Sequence, residues 1–161
     1  LLDGAAHFYD TYECIDGKYI SIGSIEPQFY SLLCEIAELS EEDFGDQMKR
    51  DTWADKKKLI RDVFLTKTRD DWCSLMEGTD VCFAPVLDMS EAPNHPHNVA
   101  RQTFIELEGV TQPAPAPRFD RTENEIQLPP AIAGEHSKEI LETLGMNQDE
   151  VDDLLASGSV V

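Results

Sequence analysis

The chain has 161 residues, 41% of them hydrophobic, which suffices for one domain with a packed core. Its 32 acidic residues against 13 basic ones give a net charge of −19, a surface that repels phosphate backbones and anionic membranes and so excludes nucleic acid and membrane as partners. No apolar run approaches the roughly 18 residues of a membrane helix, and no signal-peptide pattern is present.

The chain opens Leu1-Leu2-Asp3 without a methionine, so it is expected to be a piece of something longer. From Phe8 to Gly23, two runs rich in Tyr, Thr and Ile flank Asp16-Gly17, the pair that supplies positive φ angles in a tight turn. The spacing predicts a β-hairpin with a two-residue loop, Cys14 facing Tyr19 and Tyr12 facing Ser21. Apolar residues fall on both faces, so cover on more than one side is expected. At Pro27 the period changes: Phe29, Leu32, Leu33 and Ile36 follow the spacing of an amphipathic helix, with proline at its first position. A second helix is predicted over Thr52 to Lys67, with Trp53, Ile60, Val63 and Phe64 inward and Lys56 to Lys58 solvated. Thr68 with Asp71 reads as the cap of a short helix through Trp72, Leu75 and Met76 to Gly78.

Val81 to Leu87 predicts a strand, placed at an edge by Pro85, and Phe104 to Leu107 another. Gln112 to Pro117 alternates proline into an extended strap. Ser137 to Leu144 and a segment capped by Asn147 and Glu150 predict two short helices, too short to bury Ile140, Leu144, Val151 and Leu154 against each other alone. These elements predict an α+β fold: a small antiparallel sheet with a β-hairpin packed by helices, then the proline-rich strap and a C-terminal helical pair. The boundaries expected are 1–111 for the small domain, 112–135 for the strap and 136–161 for the tail.

Little in the chain carries recognisable chemistry. Phosphate-cradling glycine loops and the serine-hydrolase elbow are missing. Cys14, Cys34, Cys73 and Cys82 are scattered and read as reduced, mostly buried thiols. His95-Pro96-His97 reads as a loop rather than a metal site, and no metal is expected. His7 reads as a surface residue. One carboxylate stands out. Glu26 ends a β-rich run just before Pro27, beside the unpaired N–H groups of a helix start, which favours its ionised form. From the residues alone, it could cap the helix or serve as a working acid or base.

The stretch "LLDGAAHFYDTYECIDGKYISIGSIEPQFYSLL" resembles a segment of the α-methylacyl-CoA racemases within the family III CoA-transferase superfamily. "DWCSLMEGTDVCFAPVLDMSEAPNHPH", "PAPAPRF" and the closing "GEHSKEILETLGMNQDEVDDLLASGSV" are similar to later stretches of that family, in the same order. The resemblance implies a small α+β domain plus a tail returning to a large nucleotide-fold domain, in chains that interlock as dimers. It implies α-proton exchange on a 2-methylacyl-CoA thioester, with a histidine and an aspartate of the large domain moving the protons. Glu26 is then the residue that hydrogen-bonds and tunes the histidine, and Leu2, Tyr9 and Ile25 help form the wall near the acyl group. Where the family has G-G-A-P, this chain has Gly4-Ala5-Ala6-His7, so besides a surface residue His7 could be one that alters substrate size preference. Acyl-CoA is expected as substrate, with no cofactor, and a homodimer or a large domain as partner in a cytoplasmic setting. A chain so poor in cations is expected not to hold CoA alone. The alternatives are a CoA-transferase fragment and a non-catalytic binding or oligomerisation module.

Overall fold

In the computed structural model, which describes residues 1–161, Tyr9–Glu13 (β1) pairs antiparallel with Tyr19–Gly23 (β2). Tyr12 faces Ile20 and Glu13 faces Tyr19, one residue off the expected register. The loop accounts for the slip. The Cys14 N–H donates to Lys18 O at 2.7 Å, so Ile15, Asp16 and Gly17 form a three-residue loop in place of a two-residue one. Gly17 takes φ +73, the left-handed conformation that lets a hairpin absorb one extra residue. Phe83–Val86 (β3) pairs with the other side of β2, giving the order β1-β2-β3 with Pro85 on an edge strand.

Alternation then sorts the side chains. Tyr12, Ile20 and Ile22 enter the core, while Tyr9, Thr11, Ser21, Gly23 and Ala84 share the opposite face. That second face is half-buried to exposed, so the cover expected on both sides is found on one.

Helices close the buried face. Pro27–Ile36 (α1) buries Tyr30 and Leu33. Glu41–Phe44 (α2), capped by Ser40, is a single turn that the apolar spacing did not disclose. Trp53–Phe64 (α3) follows a 3-10 turn and buries Trp53, Ile60 and Phe64. Arg69–Met76 (α4) starts in the reciprocal Thr68–Asp71 cap that its sequence predicts. Phe64 and Trp72 meet edge to face at 5.1 Å in the middle of the core. Both tryptophans are buried, as their helix positions predict.

Lys56 departs from its solvated expectation. Its side chain is buried and its Nζ donates to Asp46 O at 2.7 Å. Lys57 is half-buried, donating to Gly4 O and pairing with Asp10; Lys58 alone of the three is on the surface.

Contacts divide the chain into two compact units, Leu1–Ala92 and Pro93–Val161. In the first, Arg69 is a buried pin: its guanidinium donates to Val86 O and to both oxygens of Glu91, and its N–H reaches Asp16 in the hairpin loop. In the second, Pro96–Ala100 (α5) leads to Phe104–Leu107 (β4), which pairs with Val110–Pro113 (β5) across Glu108-Gly109. Both turn residues have positive φ, the requirement of a tight two-residue hairpin. Gln112 and Pro113 thus begin as strand before the chain runs on without regular structure.

Ser137–Thr143 (α6) and Gln148–Ala156 (α7) form the expected pair, with Asn147 and Glu150 capping the second reciprocally. Val151 is buried, but Ile140 and Leu144 remain exposed. Two short helices lack the surface to cover them. No helix of the chain is long and apolar enough to cross a membrane.

Candidate functional site

The outward face of the β1-β2-β3 sheet ends in an open cleft of about 440 Å³, lined among others by Leu2, Gly4, Tyr9, Gly23, Cys82 and Ala84. The strands contribute the small residues Gly23 and Ala84 to its lining. The segment before β1 is fastened to this place by Lys57, whose Nζ donates to Gly4 O at 2.6 Å while pairing with the Asp10 carboxylate. Gly4 has φ +79, and a Cβ there would lie 3.2 Å from Asp10 Oδ1, so glycine suits both its conformation and its neighbour.

Glu26 stands next to this rim. Its backbone is extended, at φ −70 and ψ 142, as a residue preceding proline must be. It occupies the N-cap position of α1, yet its exposed side chain makes no capping hydrogen bond. The Gly23 N–H donates to Cys82 O at 2.9 Å, joining the end of β2 to the residue before β3. Partial desolvation, and then the charges of Glu26 and Asp80, push the Cys82 thiol up. Chemically, the arrangement offers an uncommitted anion beside a half-apolar cleft. A carboxylate so placed can accept a hydrogen bond from a cationic or N–H partner and raise that partner's basicity.

The structure places the four predicted site residues in different settings. Leu2 and Tyr9 line the cleft together. Glu26 adjoins it through Cys82, and Ile25 is half-buried against the core rather than among the lining side chains. Thr11, Ser21 and Cys82 also line the cleft. The signal for the first two was the strand alternation that puts them on Tyr9's face; Cys82 carried none, and it is exposed where a buried thiol was expected. The other cysteines are free, Cys14 buried, Cys34 and Cys73 half-buried.

His7 is the main correction. It is fully buried, not a surface residue, edge-on to Phe8 and Tyr30. Its Nε2 lies 2.8 Å from Tyr30 Oη, which itself donates to Phe44 O at 2.8 Å. With that hydroxyl proton committed, Nε2–H donates to the tyrosine, and the buried Nδ1 is left as an acceptor without a partner. Burial, and then the Lys56 charge, push the imidazole down to about 4. His7 is therefore a neutral core residue whose own carbonyl accepts Tyr12 Oη at 2.7 Å.

The sequence pattern of CoA-transferase family III matches residues 2–137. Over 154 residues the chain is 42% identical to the α-methylacyl-CoA racemase of Mus musculus and 42% identical to that of Homo sapiens, each alignment covering 94% of this chain and 40% of the relative. The chain thus spans about 40% of the length of these curated relatives. Among solved structures, the orthorhombic crystal form of Rv3272 from M. tuberculosis is similar with a TM-score of 0.64 at 20% identity, over 80% of this chain and 37% of that one. That likeness concerns the fold.

Proposed function

Because this chain belongs to CoA-transferase family III, we propose that it serves as the C-terminal part of an acyl-CoA racemase that inverts the α-carbon of 2-methylacyl-CoA thioesters. What carries this reading is the 42% identity to racemases over 94% of the chain. In this reading the rest of a full-length protein supplies a base that takes the α-proton and an acid that returns one to the opposite face. The thioester carbonyl needs donors as negative charge builds on it.

Glu26 acts on the base rather than on the substrate. Its carboxylate accepts a hydrogen bond from an imidazole, holding the ring in one tautomer and favouring its protonated form after proton abstraction. The missing capping bond supports this role, because the anion is left available. Leu2 and Tyr9 then form part of the wall against which the acyl chain lies. Ile25 backs that wall from the core. The phosphates of CoA would find their cations outside this acidic chain.

The test uses the full-length protein, one enantiomer of a 2-methylacyl-CoA, and deuterium oxide. Racemisation places solvent deuterium on the α-carbon while both configurations accumulate. Transfer of CoA to a free carboxylate with no deuterium at the α-carbon would mark a CoA-transferase and contradict the proposal.

A further inference from the structure

β2 ends at Gly23 and α1 begins at Pro27, so Ser24, Ile25 and Glu26 are the whole connection. The carbonyls of Ser24 and Ile25 lie outside both the strand ladder and the helix, whose first bond runs from the Tyr30 N–H to Glu26 O. One side chain takes both. Gln47 Nε2 donates to Ser24 O at 3.0 Å and to Ile25 O at 2.9 Å. With two carbonyls opposite, the amide must present its nitrogen, since its oxygen has no proton to give.

Gln47 is itself held. Its side chain is buried, and its backbone carbonyl accepts Trp53 Nε1 at 2.8 Å, tying it to α3. Ser24 completes the clamp: its buried hydroxyl donates to Val81 O at 2.5 Å and its N–H to Phe8 O at 3.0 Å. The backbone before Glu26 is therefore bound to three separate segments, and Pro27 restricts Glu26 from the other side. An apolar side chain of Gln47's length would fill the same space with less desolvation, but would leave two carbonyls without donors.

We infer that Gln47 is a positioning residue for Glu26: its amide holds the Ser24–Ile25 backbone and so sets where the Glu26 carboxylate meets the group it orients. This rests on the role given to Glu26 above. Geometry of this kind matters to rate, because a misplacement of about 1 Å can cost roughly a hundredfold.

The experiment compares α-proton exchange of a 2-methylacyl-CoA in deuterium oxide by the full-length protein, Gln47→Met, Glu26→Gln and the double variant. Methionine keeps the length of the side chain and removes both donors. The expected result for Gln47→Met is a kcat roughly ten- to hundredfold lower with KM changed less than about twofold. In the Glu26→Gln background the same substitution should change kcat less than about twofold, since the carboxylate it aims is gone. An equal loss in both backgrounds, or an unchanged kcat in Gln47→Met, overturns the inference and leaves the role of Glu26 standing. A wild-type rate in Glu26→Gln instead removes the premise, and the inference with it. Should Gln47→Met not fold, Gln47→Asn, which retains the amide one methylene shorter, is judged by the same criteria. Loss of fold in both variants also overturns the inference, since Gln47 would then be holding the core and not aiming a carboxylate.

Discussion

Acidification should cost this protein stability through His7. The imidazole is lowered from 6.5 to about 4, first by burial and then by the charge of Lys56. The unfolded chain takes up a proton as pH falls past 6.5, whereas the folded chain does so only near 4. The stability present above pH 6.5 is therefore lost as pH falls toward 4. Between pH 7.5 and 5 these two values give at most about 2 kcal/mol, at about 1.4 kcal/mol per pKa unit, so the expected loss is about 1–2 kcal/mol. Urea denaturation followed by the fluorescence of the buried tryptophans, at both pH values, measures it in the wild type and in His7→Phe. Phenylalanine removes the titration. Its fixed cost from the lost Tyr30 bond, about 1 kcal/mol, cancels when each protein is compared with itself across pH. The wild type should lose about 1–2 kcal/mol more than the variant over this interval. Parallel pH dependences in the two proteins would refute the burial argument for His7.

Truncating Trp72 to alanine removes a fully buried side chain and its bond to Phe64 O, and should cost about 3–5 kcal/mol by the same denaturation assay. Glu91→Gln should lower the melting temperature, because the buried Arg69 guanidinium loses the anion that both its terminal nitrogens reach. Asp70→Asn should shift it by no more than about a degree, since Asp70 is exposed and its contact with Arg69 is 3.4 Å long. The Glu91 carboxylate is held below the usual range by Arg69 and then Lys18, so this contribution too disappears as pH falls.

Local signals in the sequence were strong where one residue decides the backbone. Pro27 marks the start of α1, Thr68 and Asn147 with their acidic partners cap α4 and α7, and Pro85 marks an edge strand. The hairpin was legible but its register was not. Asp16-Gly17 serves a two- or a three-residue loop equally well, and the choice falls on how the loop docks, with Ile15 N–H bonded to Lys67 O and Asp16 to the Arg69 N–H. Those are contacts between distant segments that no local pattern carries.

His7 and Lys56 are buried against their sequence expectation for a related reason. A polar side chain can be buried when its partners come from elsewhere in the fold, here Tyr30 for one and Asp46 for the other. The candidate site divides in the same way. Glu26 stood out because it lies between a strand and a proline, whereas Gln47 acts through two carbonyls 22 and 23 residues away and gave no local sign.

The central requirement is that the Glu26 carboxylate assists proton transfer at the α-carbon. The most direct measurement is the rate of solvent deuterium entry into a chiral 2-methylacyl-CoA, catalysed by the full-length protein and its Glu26→Gln variant, with folding checked by circular dichroism. The variant keeps shape and removes charge. A folded variant should exchange at least about tenfold more slowly, in the range lost when a positioned acid–base group is compromised. Exchange at the wild-type rate would contradict the account.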